Sequence, residues 1–216
     1  MMDIRVVSIC SRSGGEEVEI VFGISDGDGA HCDRVSFIIS ARQYLVLGIE
    51  KGESCEEQYD TVCYESTVWS CVKRGVAVLG YGSCSEKALR LKLVSKGFER
   101  DVADEAVRRI VGMGLMSAND DAVREAERMV RKLWGRRRIA AGLYEKGYSK
   151  ESVAYALDAV EDMNVDFCES CRVLIEKKYG RALDADHRKK AFAYLTRYGY
   201  SAAEIKDALA KVIAKQ

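Results

Sequence analysis

The sequence predicts a mainly α protein: three tandem three-helix repeats in an elongated, curved array, preceded by a small β-rich N-terminal module. Three observations carry that expectation. A hexamer of Leu, three residues, Gly and an aromatic occurs as Leu93-Val94-Ser95-Lys96-Gly97-Phe98, Leu143-Tyr144-Glu145-Lys146-Gly147-Tyr148 and Leu195-Thr196-Arg197-Tyr198-Gly199-Tyr200. Its glycines are 50 and 52 residues apart, and a fixed period of this size is the signature of a repeat architecture. A second echo follows in register at Ala106-Val107, Ala156-Leu157 and Ala208-Leu209. Finally, stretches within the first 65 residues alternate apolar and polar side chains with period two, whereas the remainder follows the helical period.

Within one copy, an apolar helical stripe ends at the Gly, which supplies the left-handed conformation that closes a helix. The aromatic after it packs back on the helix just ended. Ser149 and Ser201 then stand as N-caps of the next helix, and Ser201 with Glu204 forms a capping box. Each copy is thus a helix-turn-helix pair with a further helix before it. The spacing predicts helices near 66–80, 85–96, 101–112, 120–133, 136–146, 151–162, 166–179, 187–198 and 203–214. No set of three buries both faces of its helices alone, so neighbouring sets should stack. The expected division is a β-rich module over 1–65 and repeats over 66–114, 115–164 and 165–216.

In the leader, Val18, Ile20, Phe22 and Ile24 alternate, as do Val35, Phe37 and Ile39. They predict an antiparallel hairpin, to which Ile4 to Ile9 adds a third strand. Ser25-Asp26-Gly27-Asp28-Gly29 is turn chemistry between them. It fails as a calcium loop, because counting from Asp26 places Ala30, His31 and Phe37 where ligands or Gly are required. Ala41 to Leu47 reads as a short helix stopped near Gly48, and Lys51-Gly52 as a further turn.

The formal net charge of zero conceals an asymmetry. Residues 1–65 hold 5 Lys/Arg against 13 Asp/Glu, a net of −8, and residues 66–216 hold 29 against 21, a net of +8. Such a split points to modules with different partners, or modules that attract each other. No apolar run reaches 18 residues, and the N-terminus lacks the basic and apolar regions of a signal peptide, so the expected location is the cytoplasm without membrane contact. Proline is absent, which suits a long helical array.

Enzyme signatures are missing. There is no phosphate-binding G-x-x-x-x-G-K-[ST] and no H-E-x-x-H. Among eight cysteines, Cys168-Glu169-Ser170-Cys171 has the spacing of a zinc half-site or redox pair, but no second pair completes it, and His31 and His187 show no ligand spacing. Reduced, packed thiols are the better reading. The expectation is therefore no catalytic residue, no metal and no cofactor.

Three basic clusters stand at predicted helix ends: Arg136, Arg137 and Arg138; Lys177 and Lys178 with Arg181; and His187 with Arg188, Lys189 and Lys190. Such clusters attract phosphate backbones through counterion release without reading sequence. A solvated helix face explains any single residue among them equally well, and the clusters as a set less well. Trp134, Tyr148, Tyr179, Tyr198 and Tyr200 lie near basic residues, where aromatics can stack on bases. At Tyr148 and Tyr200, however, the repeat register favours core packing.

The helical region resembles the RecX family, regulators of the RecA recombinase. The resemblance rests on Ser85-Glu86-Lys87-Ala88-Leu89-Arg90-Leu91-Lys92-Leu93-Val94-Ser95-Lys96-Gly97-Phe98, on Gly114-Leu115-Met116, on Arg138-Ile139-Ala140-Ala141-Gly142-Leu143-Tyr144-Glu145-Lys146-Gly147-Tyr148, and on Lys177-Lys178-Tyr179 with the stretch from Lys190 to Ser201. It covers about 150 residues of the chain. Two departures stand out: Asp120-Asp121 is followed by Ala122-Val123 rather than an aromatic, and Arg197-Tyr198-Gly199 replaces a more usual Arg-Arg-Gly. The resemblance implies a non-catalytic protein that binds RecA filaments on DNA and lowers RecA's ATPase, strand-exchange and coprotease activities; the default expectation for its oligomeric state is a monomer. A general nucleic-acid-binding array acting without RecA is the alternative. The basic clusters are the candidate contacts with the RecA filament or its DNA.

Overall fold

The computed structural model describes residues 3–25, 32–54, 56–180 and 183–213. The chain forms two compact units, one from Met1–Val78 with Lys92–Gly112 and the other from Leu79–Leu91 with Met113–Gln216.

In the first unit, β1 (Asp3–Arg12), β2 (Glu17–Ser25), β3 (Cys32–Ser40) and the short β4 (Gly52–Ser54) form an antiparallel sheet in the order β3-β2-β1-β4. The register pairs Ile4 with Ile24 and Ile20 with Phe37, and a bulge falls between Val6 and Ser8. Period-two alternation places Val18, Ile20 and Phe22 on one face, all buried, together with Ile4, Val6 and Ile39. The three strands expected from the sequence are present, and β4 is an addition. The Asp26–Gly29 turn lies outside the described residues. Helix α1 (Ala41–Leu47) is capped by Ser40, whose hydroxyl accepts from the Gln43 N–H, and closed by Gly48 at φ 58°.

Helix α2 (Glu56–Gly80) corrects the expectation of a helix starting near 66: it begins ten residues earlier. The reason is the sheet. Val62 is buried against it, and Tyr59 meets Phe22 and Phe37 edge to face, with centroids 5.1 and 5.4 Å apart. The Ser66 hydroxyl accepts the Ile38 N–H from the edge strand. The expected border at residue 65 therefore falls inside a continuous helix.

Glu17 ties β2 to α2. Its carboxylate accepts from Trp69 Nε1 at 2.7 Å and pairs with Lys73 at 2.8 Å. These partners depress its pKa from 4.5 to about 2. A depressed folded pKa means stability that is present above about pH 4.5 and lost as the pH falls towards 2. Glu17→Gln should cost roughly 2–3 kcal/mol at neutral pH and flatten the acid limb of stability. Urea melts of both proteins at pH 6 and pH 2.5 check this, and identical pH slopes would refute it.

Nine helices run from α2 onward among the described residues, in three sets of three. After α2 come α3 (Glu86–Val94) and α4 (Arg100–Gly112), then α5 (Ala118–Arg131), α6 (Arg136–Glu145) and α7 (Lys150–Asp162), then α8 (Phe167–Tyr179), α9 (Ala185–Arg197) and α10 (Ala202–Ile213). The mainly α architecture with a small sheet before it agrees with the sequence reading. The expected turns are formed: Gly97, Gly147 and Gly199 have φ of 95°, 86° and 90°. Ser149 accepts from the Ser152 N–H, and Ser201 and Glu204 exchange reciprocal capping bonds.

In the second unit, the echoed Ala156 and Ala208 are fully buried with Ile139, Leu143, Ile175, Leu195 and Ile205. Tyr200 is 1 % exposed and its hydroxyl donates to the Leu133 carbonyl at 2.6 Å. Tyr148 is also buried, so both tyrosines are core, as the register predicts.

Candidate functional site

The second unit carries an open groove of about 530 Å³ where the end of α5 faces α8 and α9. Arg131, Lys132 and Leu133 line it from α5 and the turn after it, Leu174, Lys177 and Lys178 from α8, and Tyr194 and Tyr198 from α9. The local sequence explains this convergence. Leu133 takes a left-handed φ of 56°, which reverses the chain after α5. Lys177 and Lys178 fall in the last turn of α8, where the helix dipole favours cations. Tyr194 on α9 and Tyr198, the residue that caps its end, lie one turn apart, with ring centroids separated by 4.6 Å.

The cations sit on the aromatic faces. Lys178 Nζ lies 3.6 Å from the Tyr194 centroid. The Arg138 guanidinium lies between Trp134 and Tyr198, at 4.2 and 4.7 Å from their centroids. Burial, followed by the neighbouring Tyr198, pushes the Tyr194 phenol up to about 12, so it stays a neutral hydrogen-bond donor at physiological pH. Arg131 has a distant carboxylate partner in Glu127, at 3.8 Å, while Lys132 and Lys177 make no ion pair with a described residue. The groove thus offers positive charge and aromatic surface in one place.

The structure sorts the nine candidate residues. Lys177, Lys178 and Arg138 converge on the Tyr194–Tyr198 pair. Arg137 is exposed, and its side chain makes no ion pair with a described residue. Arg136 is committed elsewhere: it pairs with Glu161 and its guanidinium lies 5.6 Å from the Phe167 centroid. Lys190 pairs with Asp186 at 2.7 Å, and the Arg188 Nε donates to the Leu183 carbonyl at 3.3 Å. Lys189 is exposed, and Arg181 lies outside the described residues. Arg131, Lys132 and Tyr194 were missed by sequence reasoning. Arg131-Lys132 sits just before the Trp134 that was singled out, yet nothing local shows that α8 and α9 meet it there.

The Cys168–Cys171 pair lies on α8 with both thiols free. Burial pushes the Cys171 thiol up to about 12, which disfavours the thiolate that metal binding or disulfide exchange requires. Among the described residues, no group of three or more His, Cys, Asp and Glu is placed to hold a metal, and no helix is long and apolar enough to cross a membrane.

No family model matches the chain. The "Regulatory protein RecX" of Caldanaerobacter subterraneus subsp. tengcongensis is 27 % identical over 175 residues, covering 81 % of this chain and 87 % of that protein. The protein of the same name from Xanthomonas oryzae pv. oryzae is 32 % identical over 143 residues, 63 % of this chain and 85 % of the relative. The chain belongs to the RecX family. The fold agrees as well: a crystal structure of regulatory protein RecX superposes with a TM-score of 0.74 at 19 % identity, over 94 % of this chain and 99 % of the other. RecX from Lactobacillus salivarius superposes at 0.57 over 68 % of this chain and 96 % of the other, also at 19 % identity. In this RecX-family chain Asp121, the second member of the acidic pair that no aromatic follows, acts locally. Asp121 is buried, accepts from the Ser117 N–H and pairs with Arg124, so it serves the start of α5.

Proposed function

We propose that the chain is a non-catalytic, cytoplasmic regulator that binds RecA filaments on DNA as a monomer and lowers their ATPase, strand-exchange and coprotease activities, without a cofactor. Its relatives are named as regulatory proteins, which supports the regulatory reading. The observation that carries the contact is the groove of Lys177, Lys178, Arg131 and Lys132 around Tyr194 and Tyr198. A partner that is itself a repeating polymer can be met by several weak contacts at repeated spacing, which add through effective concentration. In this reading Arg137 and Lys189 are accessory cations, while Arg136, Arg138, Arg188 and Lys190 first serve the fold.

The test is the DNA-dependent ATPase of RecA titrated with this protein. Inhibition below one molecule per RecA protomer is expected. Lys177→Glu with Lys132→Glu should weaken it about tenfold or more, with the melting temperature within a few degrees of wild type. No effect of the wild-type protein at equimolar amounts would defeat the proposal. Arg138 is unsuited to this test, since reversing it places a carboxylate between two aromatic rings. The same groove also favours a second reading, a nucleic-acid-binding array acting without RecA. That reading requires DNA binding of equal strength with and without RecA, falling steeply with salt.

A further inference from the structure

The three Gly-aromatic turns have the same backbone, yet among the described residues only two of them are occupied. In each, the aromatic N–H returns to the carbonyl of the hexamer's Leu: Phe98 to Leu93, Tyr148 to Leu143 and Tyr200 to Leu195, at 3.4, 3.2 and 3.2 Å. The Gly147 turn receives the first turn of α3: the Ser85 hydroxyl donates to the Lys146 carbonyl, and the Lys87 stem lies so close that a Cβ on Gly147 would sit 2.7 Å from its Cδ. The Gly199 turn receives the first turn of α6. There the Gly135 N–H donates to the Tyr198 carbonyl at 2.8 Å and the Arg137 N–H to the Gly199 carbonyl at 3.1 Å. A Cβ on Gly199 would meet the Arg138 backbone nitrogen at 2.3 Å.

The occupants match in register. Ser85 and Gly135 each stand twelve residues before the glycine that ends their own helix, and each brings a small residue and a donor to the next turn. At Gly97 no described residue lies within 4 Å of the position a Cβ would take. Phe98 is half-buried where Tyr148 and Tyr200 are buried. Beside this turn lies a groove of about 440 Å³ lined by Ser70, Lys73, Arg74, Ala77, Lys96 and Phe98.

We infer that the Gly97 turn with this groove is an open socket for the first turn of a helix from a partner protein, a helix that begins in a small or hydroxyl residue and carries carboxylates in its first turn. The first half of the description comes from the two filled sockets in this chain, where a small residue at the helix start is what the close backbone approach admits. The second half comes from charge. A helix start is itself positive, and the groove presents Lys73, Arg74 and Lys96. Lys73 pairs with Glu17, but Arg74 and Lys96 make no ion pair with a described residue, so an occupant needs carboxylates to match them.

A second copy of this chain is the poorer match. Its α9 does begin in Ala185 behind an Asp184 cap, with Asp186 in the first turn. In the register of the filled sockets, however, twelve residues before the closing glycine, it brings His187 in the place of Ser85 and Gly135, and Lys189 in the place of Lys87 and Arg137. The imidazole is too large for the approach that Gly135 makes, where a Cβ would already lie 2.5 Å from the Gly199 backbone. The lysine would add positive charge to a positive groove.

The probe is a helix-stabilised peptide of residues 82–96 carrying Lys87→Glu and Arg90→Glu, that is, the occupant of the Gly147 socket made acidic. Titrated into the full-length ¹⁵N-labelled protein, it should shift the amides of Gly97, Phe98, Arg74 and Ala77. The unmodified peptide should bind several-fold more weakly. Ala77→Trp, on the exposed face of α2, should weaken the acidic peptide about tenfold while leaving the melting temperature near that of wild type. No shifts at Gly97 and Phe98 up to about 1 mM peptide, or equal binding to Ala77→Trp, would overturn the inference. So would self-association in sedimentation that Ala77→Trp abolishes, because the occupant would then be a second copy.

Discussion

Gly199→Ala should destabilise the second unit by about 3–4 kcal/mol or more, whereas Gly97→Ala, with the same backbone conformation, should cost only about 1–2 kcal/mol in the first. The shared part is the left-handed φ, 90° at Gly199 and 95° at Gly97, which any side chain resists. The difference is the neighbour. At Gly199 the new methyl group meets the Arg138 backbone, a helix start fixed by two hydrogen bonds across the junction, and backbone does not step aside as a side-chain tip does. At Gly97 there is nothing to meet. Urea denaturation of both variants measures the contrast, with each unit followed by its own probe if the transitions separate. Equal losses would mean that the turn conformation, and not the junction, is what glycine provides.

Glu65→Ala should cost about 2–4 kcal/mol, and more than Glu105→Ala. Glu65 is buried on α2 and receives a bidentate fork from Arg109 of α4, at 2.7 and 3.0 Å. Arg109 is about one-fifth exposed and also donates to Glu105 at 2.7 Å. The Glu65 fork, then the second carboxylate, holds the guanidinium pKa well above its ordinary value. Removing Glu65 leaves that charge in a poorly solvated place with half its partners, and a broken buried pair costs more than the pair itself contributed. Removing Glu105, its neighbour one turn away, keeps the bidentate contact. The double change Glu65→Leu with Arg109→Met should therefore recover much of the single loss. A double variant no more stable than Glu65→Ala would show that the pair is worth its desolvation.

Much of this was legible in the sequence because it is encoded over short distances. Gly97, Gly147 and Gly199 announce their turns, Ser149 and Ser201 their caps, and α1 begins at Ser40 and stops at Gly48 as its residues require. The start of α2 was not legible for a physical reason. Tyr59 and Val62 are apolar towards the sheet rather than towards the helical sets, so their spacing does not continue the stripe that begins near residue 66. The candidate site was legible as chemistry but not as geometry. Lys177 and Lys178 declare positive charge, but the ring that Lys178 covers belongs to Tyr194, on the next helix. Likewise Arg138 looks like the third member of a basic triplet until Tyr198, 60 residues on, is folded against it.

The long reach of α2 has a consequence in time. The sheet's strands β1 to β3 are complete once Ser40 has been made, but the ring that shields Phe22 is Tyr59, and the partners that satisfy Glu17 are Trp69 and Lys73. At ordinary rates of synthesis the 33 residues from Ala41 to Lys73 take roughly 2–7 s to appear. For that interval the nascent sheet presents an apolar face and an acid with only the Ser13 hydroxyl to hold it, and β3 is an edge whose Ile38 N–H still awaits the Ser66 hydroxyl. The leader is therefore not a module that folds and then waits for the helices. Its last wall is the first helix of the array, and the ribosome must deliver both before either is finished.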